Sequence, residues 1–480
     1  MASPSQLPLE AALLPIALLI TGALLAFRGQ ATPSRRLAMA LVTLLALTPT
    51  GFLWSGALTL IELAALTLIL LLLADRFLFS AGPAEIDARR VLPERLSMNQ
   101  PNPALITLYN NSDDALRVEL IDPIPTAMRW RSASPSGFTA GSQFPAYART
   151  LAPRQRETIE YEVSPLRRGS FTFEPIRLRY RSRLGLLWIQ QRAARRDVVK
   201  AYPDLKRIAQ LRVRFSVSGE GGDFRSRRLG LQGTEFSALR PYVAGDDLRH
   251  VAWRATARMD APVTQVWRPE ADQPILILLD AGRTMNAPLA NDLTRFDWAL
   301  TAALSLAGVA IDHGDRVGVI AFDQRVTHRS PIAGGRAHFN RMLDALHALQ
   351  PTAQEPDYEG VMLKAAKQLR RRSLVVAFVD LVDPLASHSL ARGLQAFSKR
   401  HLLLAVSFQD PALSRQAEQY PETLQGLYEK SVALDLAQLR QRAYADLSRR
   451  TRAAVVDAEP ARLDEALLNR YMAIKYKTRL

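Results

Sequence analysis

Cysteine is absent from all 480 residues, and its absence excludes several classes of site. A disulfide framework, a cysteine zinc site, an iron–sulfur cluster and a thiol nucleophile all need cysteine side chains. The chain is therefore neither a cysteine protease nor a transglutaminase. A chain without cysteine suits a reducing compartment, but it does not exclude an oxidising one.

Short catalytic signatures are missing as well. The sequence has no G-x-x-x-x-G-K-[ST] loop, no H-E-x-x-H, no G-x-S-x-G and no G-x-G-x-x-G. These patterns mark P-loop ATPases, zinc proteases, serine hydrolases and dinucleotide enzymes. The seven histidines are scattered singly, without the spacing of metal ligands. We therefore expect no catalytic residues and a protein that is not an enzyme.

The chain is rich in apolar residues and in arginine. Hydrophobic residues make up 48% of the sequence, which is enough for two or three separate cores. The formal net charge is +16, from 62 basic and 46 acidic residues. Such a surplus suits nucleic acid, anionic lipid headgroups or an acidic protein. No recognised nucleic-acid module surrounds the basic stretches, so we expect no nucleic-acid partner.

Three apolar runs lie within residues 1–80, at 11–27, 37–54 and 57–74. Each approaches the ~20 residues needed to cross a bilayer, so the sequence predicts an N-terminal transmembrane anchor of about three helices. A cleaved signal peptide is the alternative for the first run, although no Lys or Arg precedes that run. Glu62 interrupts the third run, where it would either contact a partner or be tolerated near a helix end.

Arginines set the predicted orientation of this anchor. Arg28, Arg35 and Arg36 flank the loop after the first run, which favours a cytoplasmic loop. Three spans then place the soluble part in the cytoplasm of a bacterium, on a multi-pass protein of the inner membrane. Two spans would place the soluble part on the other side, and the sequence leaves the number of spans open.

The soluble part changes its hydrophobic period once. Within 85–202, stretches such as 104–109, 116–121 and 158–163 alternate apolar and polar residues, which predicts an all-β, sandwich-like domain with a structural or partner-binding role. From residue 272, continuous apolar runs at 274–279, 374–379 and 402–407 alternate with helical stretches. This alternation predicts a doubly wound α/β domain over 272–480, with a mainly parallel sheet.

Polar residues follow two of these apolar runs. Asp280 ends the first run and Asp380 follows a later one. The layout resembles the von Willebrand factor A domain, whose metal site uses a D-x-S-x-S loop, a later threonine and a distant aspartate. The resemblance implies that Asp280, Thr284 and Asp380 bind a divalent cation. Mg²⁺ is the ion that such oxygen ligands suit.

The match to that metal site is incomplete. Gly282 stands at the central serine of the loop, and Thr352 and Asp357 are the substitutes for the later threonine. The alternative is that Asp280 and Asp380 only cap turns at the ends of strands.

The longest motif lies in a connecting segment, 203–271. Residues 233–258 read GTEFSALRPYVAGDDLRHVAWRATAR, with Val251 at a position where the motif has isoleucine. The motif closely resembles the signature of the family called domain of unknown function 58 (DUF58), whose members are membrane-anchored. The signature positions, which are also candidates for partner binding, are Glu235, Phe236, Arg240, Tyr242, Asp246, Arg249, Trp253 and Arg258.

Three roles are open for this segment. Its opposite charges could fix one module against the next, or its exposed Arg and Trp side chains could form a docking surface. The third role is catalysis by Asp246, Asp247 and His250, but adjacent residues diverge where an acid–base pair must converge.

The family resemblance also implies a partner. Genes of this family commonly neighbour those of MoxR-type AAA+ ATPases. We therefore expect a non-enzymatic, membrane-anchored adaptor that works with such an ATPase on a client protein, in protein complex assembly or maturation. The alternative is an adhesion-type protein that binds its ligand through a divalent cation in the A-like domain. The client, the pathway and the oligomeric state are not readable from the sequence.

Overall fold

The computed structural model describes residues 31–47, 55–78, 86–132, 138, 142–193, 196–216, 235–243, 246, 248–268, 272–380 and 384–477. The chain divides into two compact units. The first unit comprises Met1–Leu166 and Ser170–Lys200, and the second comprises Arg167–Gly169 and Ala201–Leu480.

The described part of the first unit begins with a short strand, two helices and a π-helical turn. These are β1 (Ala31–Pro33), α1 (Arg35–Leu47), α2 (Ser55–Leu73) and the turn Ala74–Leu78.

The predicted N-terminal transmembrane anchor is wrong. In the described part of the chain, no helix combines the length and the apolar character that crossing a bilayer requires. Helix α1 has 13 residues, of which 11 fall in the predicted span 37–54, and residues 48–54 lie outside the described residues. At ~1.5 Å per residue it is about 20 Å long, against ~30 Å of hydrocarbon. The predicted span 11–27 lies outside the described residues.

Some apolar residues of the predicted span 57–74 pack against the protein itself. This span falls on α2, where Leu72 is buried in one apolar cluster with Leu37, Ala31 and Leu187. Leu187 belongs to the β-sheet of the same unit. Part of the apolar sequence therefore packs on protein, which hydropathy alone does not distinguish from packing on lipid.

Asp75 attaches the end of α2 to that sheet. Its side chain is fully buried and accepts hydrogen bonds from Ser182 Oγ at 2.5 Å, Leu184 N at 3.0 Å and Leu186 N at 3.3 Å. A buried carboxylate is tolerated when donors surround it in this way. The helices and the sheet thus form one unit.

Three sheets, of which the two larger ones are antiparallel throughout, contain the strands that follow. They are β2 (Ile86–Val91), β3 (Arg95–Ser97), β4 (Asn102–Asn110), β5 (Leu116–Ile121), β6 (Met128–Ser132), β7 (Ala146–Leu151), β8 (Arg156–Pro165), β9 (Gly169–Phe173), β10 (Ile176–Arg181), β11 (Leu187–Ala193) and β12 (Asp197–Tyr202). The strand orders are β2-β4-β8-β6, β1-β11-β10-β5-β7 and β3-β12-β9. Burial alternates along β4 and β10, so the larger sheets each turn one face to the core.

A buried polar cluster ties these sheets together. Arg90 of β2 donates to both carboxylate oxygens of Asp122, at 2.7 and 3.1 Å, and Tyr161 of β8 donates its hydroxyl to the same carboxylate. Burial raises the pKa of Asp122, while Arg90 and Tyr161 act in the opposite direction. The three side chains satisfy one another's hydrogen-bonding groups, so the cluster fixes the pairing of the sheets.

The second unit continues with helices and strands in alternation. They are α3 (Leu205–Arg214), β13 (Glu235–Pro241), α4 (Trp253–Met259), β14 (Val263–Arg268), β15 (Pro274–Asp280), β16 (Pro288–Ala290), β17 (Leu293–Thr294), α5 (Arg295–Asp312), β18 (Arg316–Phe322), β19 (Val326–Ala333), α6 (Arg336–Leu346), α7 (Tyr358–Ala366), β20 (Leu374–Phe378), α8 (Pro384–Ser398), β21 (Leu402–Phe408), α9 (Pro411–Glu418), α10 (Leu424–Thr451), β22 (Ala454–Ala458) and α11 (Pro460–Lys477). Short 3₁₀ turns lie at Leu248–His250 and Arg283–Asn286.

Six of these strands form the main sheet, in the order β19-β18-β15-β20-β21-β22. All neighbours are parallel except β19, which is antiparallel to β18. One apolar cluster joins the sheet to α3, α5, α6 and α11, and a second joins its other face to α7, α8 and α10. The sheet is therefore covered on both faces, and the carboxyl ends of β15 and β20 lie side by side.

Helix α3 belongs to this α/β core, although it lies in the segment predicted as a connection. Its Arg207 donates to both oxygens of Asp464 in α11, at 2.5 and 2.7 Å, and Arg212 does the same for Asp312 of α5. Ile208 and Leu211 are buried beneath these ion pairs. The core of the second unit thus starts well before the first strand of its sheet.

Candidate functional site

Asp280 lies fully buried at the carboxyl end of β15. Every residue of β15 after Pro274 is buried, as its continuous apolar run dictates. Oδ1 of Asp280 accepts from Gly282 N at 2.7 Å, and Oδ2 accepts from the Tyr358 hydroxyl at 2.6 Å. Burial raises the pKa of Asp280 to about 6, although both hydrogen bonds favour the charged form.

Asp380 already has a cationic partner. Thr294 caps α5 and exchanges hydrogen bonds with Asp297, so Arg295 becomes the first residue of the helix at the strand ends. Arg295 donates from Nη1 to Oδ2 of Asp380 at 2.6 Å, and its Nη2 lies 3.9 Å from Asp410. The side chain of Asp380 is only 1% exposed. A guanidinium thus neutralises the carboxylate that the metal site would use.

Gly282 leaves no room for the missing serine. A Cβ at this position would lie 2.9 Å from the carbonyl oxygen of Gln354, 2.9 Å from Pro356 Cδ and 3.0 Å from Oδ1 of Asp280. The backbone of the neighbouring loop also contacts this segment, since Arg283 N donates to Gln354 O at 2.8 Å. Glycine is therefore required for the close approach of two loops.

Of the other oxygen-bearing candidates, Thr352 and Asp357 have partners of their own, and Thr284 has none among the described residues. Thr352 donates its hydroxyl to Asp323 at 3.2 Å or to the carbonyl of Ala281 at 3.3 Å. Asp357 caps α7 by accepting from Gly360 N at 2.8 Å. Thr284 lies in the 3₁₀ turn Arg283–Asn286, and its buried Oγ1 has no hydrogen-bond partner among the described residues.

These contacts do not fit a divalent cation. Open oxygen ligands are what Mg²⁺ requires, but Arg295 occupies Asp380 and Tyr358 occupies Asp280. Where the structure describes the chain, no three His, Asp or Glu side chains are grouped as a metal would need. The strand ends instead form an internally neutralised polar cluster.

The signature residues lie on a separate β-hairpin of the second unit. Strands β13 and β14 are antiparallel, with Arg240 opposite Thr264 and Pro241 opposite Val263. Glu235 and Phe236 lie at the start of β13. The hairpin therefore pairs the start of the motif with β14, a strand that follows the motif in the chain.

Asp246 is the polar centre of this hairpin. It receives a hydrogen bond from Arg240 at 2.6 Å, from Val243 N at 3.1 Å and from Thr264 Oγ1 at 3.4 Å. Arg240 is the main cause of the lowered pKa of Asp246, so this carboxylate is charged at neutral pH. The hydroxyl of Tyr242 lies 3.5 Å from the carbonyl oxygen of Asp246. The structure thus brings Arg240, Tyr242 and Asp246 together.

Several side chains of the turn Leu248–His250 and of helix α4 are exposed. Trp253 opens helix α4 with 68% of its surface accessible, and Leu248 and Met259 are 64% and 62% exposed. Arg249, Arg254 and Arg258 are exposed on the same turn and helix. We call the set Leu248, Arg249, Trp253, Arg254, Arg258 and Met259 the signature surface. The polar centre fixes the hairpin, and these side chains project from it.

Residues 238–452 match the family described as "Protein of unknown function DUF58". The DUF58 match runs from β13 through α10, so it includes the polar centre, the signature surface and the strand ends. The predicted resemblance to this family is confirmed over that range. The predicted ATPase partner and the A-domain metal chemistry have no counterpart in the family description.

The similar curated proteins carry no known function. Uncharacterized proteins of Mycobacterium bovis and Mycobacterium tuberculosis are 26% identical over 181 residues, which is 37% of this chain and 56% of each relative. The chain thus spans little more than half the length of the curated relatives it matches.

Solved structures resemble only part of the chain. A cohesin module from a Clostridium perfringens family 33 glycoside hydrolase has 8% identity and a TM-score of 0.20, covering 25% of this chain and 99% of the module. A CARDB domain from Pyrococcus furiosus has 8% identity and a TM-score of 0.15, covering 23% of this chain and 87% of that domain. TM-scores and identities this low say nothing about the function of this chain.

Two site residues escape sequence reasoning. Arg295 and Tyr358 contact the predicted aspartates, but neither lies within a motif. The capping box Thr294-x-x-Asp297 is a readable signal that a helix starts beside Arg295. Its contact with Asp380, 85 residues away, depends on the order of strands in the sheet.

Proposed function

We propose that the protein is a non-enzymatic adaptor whose signature surface docks a MoxR-type AAA+ ATPase, in the assembly or maturation of protein complexes. The ATPase comes from the family resemblance of the sequence, and the DUF58 match over residues 238–452 supports that resemblance. The location at a bacterial inner membrane, with the soluble part in the cytoplasm, stays a prediction that cell fractionation tests.

One observation carries the proposal: Trp253 is 68% exposed in a short helix beside exposed arginines. Tryptophan and arginine are the residues most enriched at the centres of protein interfaces. Because the indole of Trp253 is not buried in a core, packing within the protein does not explain a tryptophan at this position. A partner surface that covers the indole explains it.

The polar centre supports the same role. Arg240 and Asp246 satisfy each other and the backbone of Val243, so they hold the hairpin and do not face a reactant. A rigid hairpin that presents an aromatic anchor lowers the entropy lost on binding. The adhesion-type alternative has no such support, because the strand ends already hold Arg295 in place of a cation.

Co-purification tests the proposal. The tagged full-length protein is expressed with the MoxR-type ATPase encoded beside it, and the recovered ATPase is quantified. We expect Trp253→Ala to lower recovery at least about tenfold, since an interface anchor is worth ~2 kcal/mol or more. Tyr428→Ala is the matched control, because Tyr428 is 73% exposed on α10 of the same unit.

The outcomes separate docking from folding. Trp253→Ala should leave the thermal unfolding midpoint unchanged, because the side chain is exposed. Arg240→Ala should lower both recovery and the midpoint, because it disrupts the hairpin itself. If no AAA+ ATPase is recovered with the unaltered chain, or if Trp253→Ala and Tyr428→Ala behave alike, the proposal fails.

A further inference from the structure

The outer face of the five-stranded sheet in the first unit is unusually basic. Strand pairing places Arg177 of β10 opposite Arg192 of β11, and Arg179 opposite both Gln190 and Glu119. Arg181 and Arg117 lie two residues further along their strands, on the same face. This face therefore carries five arginines and a single glutamate.

Two of these arginines form a like-charge pair. Arg177 and Arg192 are exposed, directly opposite each other, and make no ion pair with any described residue. Like charges opposite each other across a sheet are destabilising. Arg179, by contrast, is held by Glu119 at 2.7 Å. The repulsion between Arg177 and Arg192 lowers the stability of the fold. A ligand that neutralises the two charges removes this repulsion, and the free energy recovered adds to its binding.

A groove crosses this face. It has a volume of about 800 Å³ and is lined by Arg177, Arg179, Gln190 and Arg192 on one side. Ile121, Ala146 and Ala148 form its other side, and Glu119, the partner of Arg179, also lines it. Four strands at ~4.8 Å spacing make the groove about 14 Å long, which holds roughly four residues of an extended chain.

We propose that this groove binds an acidic, extended polypeptide segment of another protein, with Arg177 and Arg192 gripping its carboxylates. A guanidinium group matches the two oxygens of a carboxylate through paired hydrogen bonds, so each of the two arginines can hold one carboxylate. The apolar side of the groove, formed by Ile121, Ala146 and Ala148, suits the aliphatic part of Asp and Glu side chains. This surface lies in the first unit and is distinct from the signature surface.

The geometry disfavours other polyanions. A bilayer is flat and reaches the rim of a groove but not its floor. Bases of single-stranded nucleic acid need a free aromatic face. The described aromatic of this face, Trp188, is engaged by Arg179 and Arg181, whose guanidinium carbons lie 5.0 and 5.2 Å from its ring centre.

Fluorescence anisotropy of labelled hexaglutamate with the full-length protein tests the proposal, with labelled hexaglutamine as the neutral probe. We expect hexaglutamate alone to bind, more weakly at high salt. The double variant Arg177→Gln with Arg192→Gln should weaken binding at least about tenfold. Arg156→Gln is the control, because Arg156 is an exposed arginine of the other large sheet; it should change binding less than twofold.

Stability supplies the second readout. Relief of the like-charge pair should leave the unfolding midpoint of the double variant equal or higher. A lower midpoint would mean that the arginines stabilise the sheet, and the proposal would fail. It would also fail if hexaglutamate binds all variants equally, or if only phosphatidylglycerol vesicles or single-stranded RNA bind in a manner that depends on Arg177 and Arg192. None of these outcomes involves the ATPase, so this test and the docking test fail independently.

Discussion

Arg295 donates a 2.6 Å hydrogen bond to Asp380, and this contact closes the strand ends of the α/β unit to a metal ion. Asp380 is almost fully buried, whereas Arg295 keeps 14% of its side chain exposed. The positive charge that a metal site takes from a divalent cation is here part of the polypeptide. The contribution of the Arg295–Asp380 pair to stability and the absence of metal binding at this site can both be measured.

Arg295→Gln should destabilise the protein by about 3 kcal/mol, because it leaves a buried carboxylate without its cation. Urea unfolding of the variant measures the loss, and titration with Mn²⁺ in a calorimeter measures binding. We expect the unaltered protein to show no saturable binding of Mn²⁺ at millimolar concentration. Arg283→Gln is the control, because the Arg283–Glu355 pair is more than half exposed and should be worth less than ~1 kcal/mol. Tight Mn²⁺ binding that Asp280→Ala abolishes would contradict this account.

The raised pKa of Asp280 makes stability depend on pH. The ordinary value is 3.8 and the folded value is about 6, so the folded protein binds this proton more tightly than the unfolded chain does. The contribution is therefore fully present below pH 4 and is lost as the pH rises to about 6 and above. Two pKa units correspond to roughly 3 kcal/mol.

Urea unfolding at pH 4, 5, 6 and 7 compares the unaltered protein with Asp280→Asn. The difference between the two should shift by roughly 2 kcal/mol in favour of the variant across this range, because the unfolded carboxyl is already more than half ionised at pH 4. Asp122, Asp315 and Asp464 also have a pKa raised by burial, but they are common to both proteins and cancel in the comparison. Parallel pH profiles would show that Asp280 titrates normally.

A buried ion pair holds the C-terminal helix. Lys475 of α11 donates to Asp315 at 2.6 Å, Tyr471 donates to the same carboxylate at 2.5 Å, and both charged side chains are at most 1% exposed. Lys475→Met should cost about 3–5 kcal/mol, since it leaves Asp315 charged in the core. Adding Asp315→Asn should recover most of the loss, because the amide still accepts from Tyr471 without a charge.

Chemical unfolding of the single and double variants measures this coupling. Arg450→Met serves as the control, because Arg450 and Asp446 form an exposed pair within α10 that should be worth about 0.5 kcal/mol or less. A double variant as unstable as Lys475→Met would show that packing around Lys475, and not its charge, is what matters.

Local patterns predicted the second unit well. The run Pro274–Leu279 forms β15, and Asp280 ends it, because only a strand buried on both faces is apolar at every position. The Arg240–Asp246 contact was also within reach, since both residues lie in one short motif. Long-range partners could not be predicted from the sequence, because the packing of helix against sheet determines the side chain that contacts Asp380.

Hydropathy misled the prediction at the N-terminus. The residues around Leu37 and Leu72 form apolar runs in the sequence, but both side chains are buried in a cluster with Leu187. The alternating arginines of β10 were visible in the sequence as R-L-R-Y-R, yet only the strand order places Arg192 beside Arg177.

The hydrogen bonds of Asp75 determine how far the chain can be shortened from its N-terminus. A fragment that begins after residue 80, the boundary that hydropathy suggests, would lose the carboxylate that receives Ser182 Oγ and the amides of Leu184 and Leu186. It would also strip β1 from the edge of β11 and leave Leu187 facing water. Shortened versions made for crystallisation or binding assays should therefore keep the helical pair, because without it the β-rich half is prone to self-association through its bared strand.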